Sequence, residues 1–421
     1  MTERPLFDRF SRTTDAMRAA PVTHETLAVD GGTPVRDILL PYGRQSIAED
    51  DIQSVVDVLR SDWLTTGPKI TEFEEAFAAR VGAKYAVSFS SGTAALHGAA
   101  FAAGLEPGDE AITSPMTFVA TANCVLYQGA TPVFADVSAD TLNLDPEKAA
   151  EQVTPRTRVL VPVAYAGHPA CLDGVLEIAA RHGLVVIEDA CHALGAEYRE
   201  RRTGSIADMT VFSFHPVKHV ATGEGGMVTT NRANYAESLR QFRNHGISSD
   251  ARKRQSEGQW HYEMVLLGFN YRLTDIACAL GLSQLKKLDA ALQRRREIAA
   301  RYAVALLNLD AVTLPAVRAG VNPAWHLYPI RLNLEKLTAN RAQIFRALRA
   351  ENIGVNVHYI PVHCHPYYRD RFGNRDGNYP VAENAYACLI SLPMFHGMND
   401  QDVEDVIGAV TKILRYYRKC Q

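Results

Sequence analysis

From about residue 50 onward, helical hydrophobic patterns alternate with short apolar runs. The runs Tyr85–Phe89, Glu110–Thr113, Pro132–Asp136, Val159–Ala164, Val185–Glu188, Thr210–Phe214 and Gly226–Thr229 read as strands. Several are continuously apolar, as strands buried on both faces require. Helical patterns such as Thr93–Ala103 and Leu172–His182 separate most of them. The alternation predicts an α/β architecture around a mostly parallel central sheet. Further along, Leu282, Leu285, Leu288 and Leu292 recur near helical spacing, within one long helix expected over Leu273–Arg301. Beyond it, His326–Asn333, Arg341–Glu351, Val355–Ile360 and Asp400–Tyr417 read as a smaller α+β unit. The expected organisation is a polar N-terminal arm over residues 1–24, a large α/β domain over 25–285 and a small C-terminal α+β domain over 286–421.

Composition narrows the function classes. With 421 residues, 47% hydrophobic and 22% charged, the chain has material for more than one core and the balance of an ordinary globular protein. A net charge of −3 gives no electrostatic reason to bind nucleic acid or an anionic membrane. No apolar run of about 18 residues is present, so a membrane span is not expected. Seven cysteines stand singly without a CxxC pair, which suits reduced thiols in a cytoplasmic setting. In the arm, Arg4, Arg9, Arg12 and Arg18 alternate with Glu3, Asp8 and Asp15, and no apolar stretch follows, unlike a targeting segment.

Four segments carry candidate chemistry. Ser90-Ser91-Gly92-Thr93 follows a strand and opens a helix, where free backbone N–H groups converge as a phosphate site. Taken alone, the segment serves as well as a plain N-cap with a tight turn. Val185–His192 brings Asp189 to the end of a buried strand, the edge at which α/β sheets bind ligands. A carboxylate there pairs with a pyridinium nitrogen, or merely caps the next turn. Phe212–Lys218 closes another strand with a lysine, where partial desolvation favours the neutral, imine-forming amine. Gly223-Glu224-Gly225-Gly226 follows at once, and so many glycines suggest backbone pressed against a ligand or a strand. Gly268–Asp275 leads into the long helix and alone says little more than a capped start. GxGxxG, Walker-lysine and GxSxG motifs are absent. His358, His363 and His365 have only Cys364 at a ligand-like spacing, so no metal is expected.

In this order, Ser-Gly-Thr, Glu-Asp-Ala, Ser-Phe-His-Pro-x-Lys, Gly-Glu-Gly-Gly and Gly-x-Asn-x-Arg, the chain resembles the DegT/DnrJ/EryC1/StrS family of sugar aminotransferases. The similarity runs from Asp30 to the C-terminus and includes Trp63–Pro68 and Pro132–Val137. Phe214–His219, Leu273–Ile276, His326–Ile330, Asn356–His363 and Pro366–Tyr368 are most similar to its pseudaminic-acid branch. Two positions depart: His365 stands where that branch has glutamine, and His192 replaces a glutamine common in other branches.

The resemblance implies a fold-type-I, pyridoxal 5′-phosphate-dependent transferase, working as a homodimer with active sites shared between subunits. By motif, Lys218 would carry the cofactor through its ε-amine and move the proton, and Asp189 would pair with the pyridine nitrogen. Gly92, Thr93 and Ser213 would hold the phosphate, and Asn270 would reach it from the other subunit. Phe118 would stack on the ring face unless it is an ordinary core aromatic, and His192 would lie near the ring hydroxyl. The implied reaction transfers an amino group from L-glutamate to C4 of a UDP-4-keto-6-deoxy-N-acetyl-hexosamine, giving UDP-4-amino-4,6-dideoxy-N-acetyl-β-L-altrosamine. The alternative is C4 amination of another nucleotide-4-keto-6-deoxy sugar, of bacillosamine or perosamine type. A related dehydratase would carry histidine in place of Lys218, and a non-catalytic sensor would keep the fold without turnover.

Overall fold

The computed structural model of the protein describes residues 26–248, 254 and 258–419. The arm expected over residues 1–24 lies outside the described residues. Nine strands come first along the chain: β1 (Tyr85–Phe89), β2 (Glu110–Thr113), β3 (Thr131–Phe134), β4 (Thr157–Val161), β5 (Val185–Asp189), β6 (Glu197–Tyr198), β7 (Arg201–Arg202), β8 (Met209–Ser213) and β9 (Gly226–Thr230). Seven of them form one sheet in the order β1-β9-β8-β5-β4-β2-β3. The pairs from β3 through β2, β4 and β5 to β8 are parallel, and β9 runs antiparallel to both β8 and β1. The sheet is therefore mostly parallel, as the alternation of strand and helix patterns predicts.

Both faces of this sheet are covered, which explains its apolar strands. Val87, Phe89, Val211 and Val228 enter a core with the helix Gly92–Ala102. Their neighbours Ala86, Phe212 and Met227 enter a second core with the helix Pro68–Val81. Successive residues of a strand point to opposite faces, so each strand feeds both cores.

A second sheet joins β10 (Val312–Thr313), β12 (Tyr328–Leu332) and β13 (Leu389–Leu392), all antiparallel, while β11 (Val321–Asn322) pairs with β6. It shares a core with the helices Arg341–Ala350 and Asp400–Tyr416. Between the sheets, the single helix expected over Leu273–Arg301 is two: Asp275–Lys286, capped by the Thr274 hydroxyl, and Leu288–Leu306. The break falls at Lys287, whose amine pairs with Asp50 and Asp51 at 2.5 and 2.8 Å. The residues on either side of the break serve different cores. Leu288 and Leu292 belong to the core of the large sheet, whereas Ile298, Tyr302 and Leu306 belong to that of the small one.

The buried acid Glu188 of β5 forms no ion pair among the described residues. Glu188 accepts a 3.3 Å hydrogen bond from Thr210 on one oxygen, and its other oxygen has none. Burial, reinforced by the neighbouring Asp189 and offset in part by Thr210, pushes the carboxyl up to about 7 from 4.5. The unfolded carboxyl ionises first as pH rises. The contribution is therefore whole below about pH 4.5 and lost through pH 7, amounting to about 3 kcal/mol. Glu188→Gln removes the titration while keeping the shape. Urea midpoints should show the variant gaining on the parent between pH 5 and 8; a constant difference between the two would refute the buried neutral acid.

Candidate active site

β1, β5 and β8 run the same way, so their carboxyl ends meet at one edge of the sheet. The turn after β1, the last residue of β5 and the last residue of β8 all line one cleft of about 500 Å³. Ser91 caps the helix Gly92–Ala102 by accepting from the Ala94 N–H at 3.1 Å. The N–H groups of Gly92 and Thr93 have no acceptor within the helix and point out of its end. This end is pressed against the sheet. A β-carbon on Gly92 would stand 2.9 Å from Ser213 Cβ, and one on Gly226 would stand 2.4 Å from the Ser91 carbonyl oxygen. Here the glycine-rich loop serves close backbone approach.

Asp189 is buried, with both oxygens oriented. Oδ2 accepts from the Thr121 hydroxyl at 2.6 Å, and Oδ1 from the Cys191 N–H at 3.1 Å. Thr121 is itself bonded to the Thr117 hydroxyl at 2.8 Å, four residues earlier and ahead of the helix Ala120–Tyr127. A carboxylate has lone pairs for further donors, so Asp189 keeps capacity towards the cleft.

Lys218 is half-buried, and its Nζ lies 3.3 Å from His326 Nε2. Burial lowers the amine to about 8; nearby Cys191 and Asp189 oppose that fall and Arg295 adds to it. His192 packs its ring 4.4 Å from that of His326 and meets the Tyr359 hydroxyl at 2.9 Å. Burial and the charge of Lys218 hold His192 and His326 well below the usual imidazole range. Phe118 is 56% exposed at the cleft wall, which sets aside its reading as a core aromatic.

The cleft thus gathers Gly92, Thr93, Phe118, Asp189, His192, Ser213 and Lys218. Asn270 is not among its lining residues: it is exposed and bridges to Asn244. Thr121, Tyr359 and His326 were not singled out by the sequence reading, although all three touch residues that were. The spacing of Thr117 and Thr121 by four is the one local signal for the first. Nothing local marks the other two, because their partners are far away in the chain. Among the described residues, no group of three or more His, Cys, Asp or Glu is placed to hold a metal ion. Nor is any helix among the described residues long and apolar enough to cross a membrane.

Comparison with known proteins agrees with this geometry. The DegT/DnrJ/EryC1/StrS aminotransferase family matches residues 45–411. The spore coat polysaccharide biosynthesis protein SpsC of Bacillus subtilis is 46% identical over 382 residues, covering 90% of this chain and 98% of its own length. The structure of Helicobacter pylori PseC, an aminotransferase involved in the biosynthesis of pseudoaminic acid, superposes with a TM-score of 0.84 at 33% identity. That match covers 90% of this chain and 100% of PseC. The putative sugar aminotransferase Spr1654 from Streptococcus pneumoniae, in its PLP-form, gives a TM-score of 0.83 at 30% identity, over 90% and 99% of the two chains. Enzymes of this family depend on pyridoxal 5′-phosphate, and the cleft fits that group. It offers a helix N-terminus free of side-chain bulk at Gly92, a carboxylate with spare lone pairs, an exposed aromatic wall and a weakly basic amine.

If Thr121 aims Asp189 into the cleft, Thr121→Val should weaken the affinity of cofactor-free protein for pyridoxal 5′-phosphate by about tenfold or more. The thermal midpoint should change little. Titration followed by visible absorbance measures this, and an unchanged dissociation constant would remove Thr121 from the site.

Proposed function

Because the chain belongs to the DegT/DnrJ/EryC1/StrS aminotransferase family, we propose that this sugar aminotransferase aminates C4 of a UDP-4-keto-6-deoxy-N-acetyl-hexosamine. L-glutamate is the donor, and the product is UDP-4-amino-4,6-dideoxy-N-acetyl-β-L-altrosamine. The observation that carries the reading is the weakly basic Lys218 amine in one cleft with Asp189 and a glycine-opened helix N-terminus. The full-length similarity to PseC supports the choice of sugar.

When bound, the cofactor supplies a carbonyl for the amine and a ring that withdraws electrons from the reacting carbon. The chain's residues do the rest. Lys218 would hold the group through Nζ, and its free amine would serve to take and return a proton. Asp189 keeps a proton on the pyridine nitrogen by pairing with it. Gly92 and Thr93 donate their N–H groups, and Ser213 its hydroxyl, to the phosphate. Phe118 would cover one face of the ring, and His192 would lie near its hydroxyl.

We propose further that Asn270 completes the phosphate site of a second copy of the chain in a homodimer. Its exposure beside Trp260, Met264, Leu267 and Phe269, all large and exposed, supports a contact there. A second reading of the sugar, amination of a bacillosamine- or perosamine-type 4-keto substrate, draws on two observations. SpsC is more similar in sequence than PseC, and His365 departs from the glutamine of the pseudaminic-acid branch.

Loading the protein with pyridoxamine 5′-phosphate and adding a panel of 4-keto nucleotide sugars tests the substrate. The UDP-4-keto sugar that leads to the L-altro product should regenerate the aldehyde spectrum fastest; a faster bacillosamine-type UDP-sugar or perosamine-type GDP-sugar selects the second reading. Lys218→Ala should abolish turnover in either case, since positioning cannot replace a covalent amine. For the dimer, inactive Lys218→Ala and Asn270→Asp chains are mixed and allowed to exchange, with exchange checked by mass spectrometry. One site of each mixed dimer collects both lesions and the other is intact, so activity should approach half the parent value per mixed dimer. Exchanged dimers that stay dead would rule out sharing through Asn270.

A further inference from the structure

His326 has no part in the reading above, yet its position is held from several sides. The preceding residue, Trp325, has φ 50, a left-handed conformation that a bulky residue adopts only when its surroundings impose it. Those surroundings are specific. The Arg295 guanidinium donates through Nη1 to the carbonyls of Trp325, His326 and Met394 at 3.1, 3.3 and 2.9 Å. The His219 ring meets the Ala324 carbonyl at 2.9 Å, and the N–H groups of Ala324 and Leu327 donate to the carbonyls of Gly167 and Ala166. Gly167, with φ 96, lets this turn in: a β-carbon there would fall 2.9 Å from the His326 nitrogen. The ring is wedged between those of His192 and His219, with centroids 4.4 and 5.7 Å away. So much restraint on one half-turn of chain yields a single outcome, an imidazole whose Nε2 faces Lys218 Nζ at 3.3 Å.

We propose that His326 is the positioning residue of the reactive amine: its Nε2 accepts one hydrogen from Lys218 Nζ, fixing where the other hydrogens and the lone pair point. This rests on the reading that Lys218 carries the cofactor. With Nε2 as acceptor, the ring hydrogen sits on Nδ1, which has no partner in the structure. The ammonium form of Lys218 then directs two hydrogens to the cleft, and the neutral amine directs its lone pair there. The opposite tautomer, donating from Nε2, would occupy that lone pair and block the nucleophile. The titratable and charged groups around the amine are Asp189, Cys191, His192, His219, His358 and Arg295. All three of these histidines are held neutral chiefly by burial, so His326 remains the acceptor.

The test reads the amine directly. The protein is loaded with pyridoxamine 5′-phosphate, which leaves Lys218 free, and trace-labelled with acetic anhydride across pH. Peptide mass spectrometry then gives the labelling midpoint of Lys218. His326→Gln keeps a side-chain acceptor at the reach of Nε2; His326→Asn falls short of it, and His326→Phe has none. Losing this acceptor should lower the midpoint by roughly one pH unit in the Asn and Phe variants, while Gln stays near the parent. Unmoved or raised midpoints in Asn and Phe, or a Gln variant that behaves like them, would overturn the proposal. A variant that fails to melt cooperatively is read through the remaining pair. Borohydride fixation of pyridoxal 5′-phosphate in the parent protein keeps the two readings apart. Fixation on another lysine sinks the assignment of Lys218, whereas fixation on Lys218 with an indifferent midpoint sinks only the role of His326.

Discussion

Taking a lysine amine out of water without giving it a carboxylate to touch is the constraint on which the cleft depends. Among the described residues Lys218 forms no ion pair, and its Nζ has one hydrogen-bond partner, the neutral imidazole of His326. Surface lysines keep their proton at neutral pH because water solvates the charge. Here burial removes much of that solvation, Asp189 restores part of it from a distance, and Arg295 adds a repulsive cation. The balance leaves an amine that is neutral for a useful fraction of the time near pH 8. A carboxylate in contact would undo this by holding the proton.

The sheet supplies the geometry. Because β9 runs antiparallel between β8 and β1, the chain leaves β8 at Ser213, loops through Lys218 and returns at Gly226 on the same edge. The loop therefore starts and ends beside the Ser91–Gly92 turn, and a side chain at Gly92 or Gly226 would separate the two. Asp189 enters from the parallel neighbour β5, one strand further on. Three segments well separated in sequence converge through strand order alone, without any loop having to reach far.

Much of this was legible in the chain. The strands carrying Asp189 and Ser213 are apolar runs bounded by polar residues, and burial on both faces makes such runs self-announcing. The glycines next to Lys218 mark close approach, although the sequence leaves open whether a ligand or a strand is approached. Two kinds of feature were not legible. The break at Lys287 leaves the leucine spacing uninterrupted, and the residues Lys287 pairs with, Asp50 and Asp51, lie more than 200 residues away in the chain. His326 and Tyr359 are the other kind: their partners, Lys218 and His192, lie over 100 residues upstream, and no periodicity encodes such contacts. Asn270 differs again: within one chain it lies away from the cleft, and its place in a phosphate site rests on the proposed second chain.

The helix Leu288–Leu306 ties these strands of argument together. Its first turns pack under the large sheet and its last turns under the small one, and Arg295 lies between the two contacts. A buried guanidinium with no carboxylate partner is costly, and burial lowers Arg295 to about 10 while its Nε and Nη2 remain without partners. Packing alone would be served better by an aliphatic residue of similar size. What an aliphatic residue lacks is a donor able to hold the carbonyls of Trp325, His326 and Met394 at once, and so to draw the entry to β12 and the exit from β13 together beside Lys218. The same cation lies close enough to weigh on the amine. Stability forgone at the seam is thus matched by order and electrostatics at the cleft, which makes the seam part of the site.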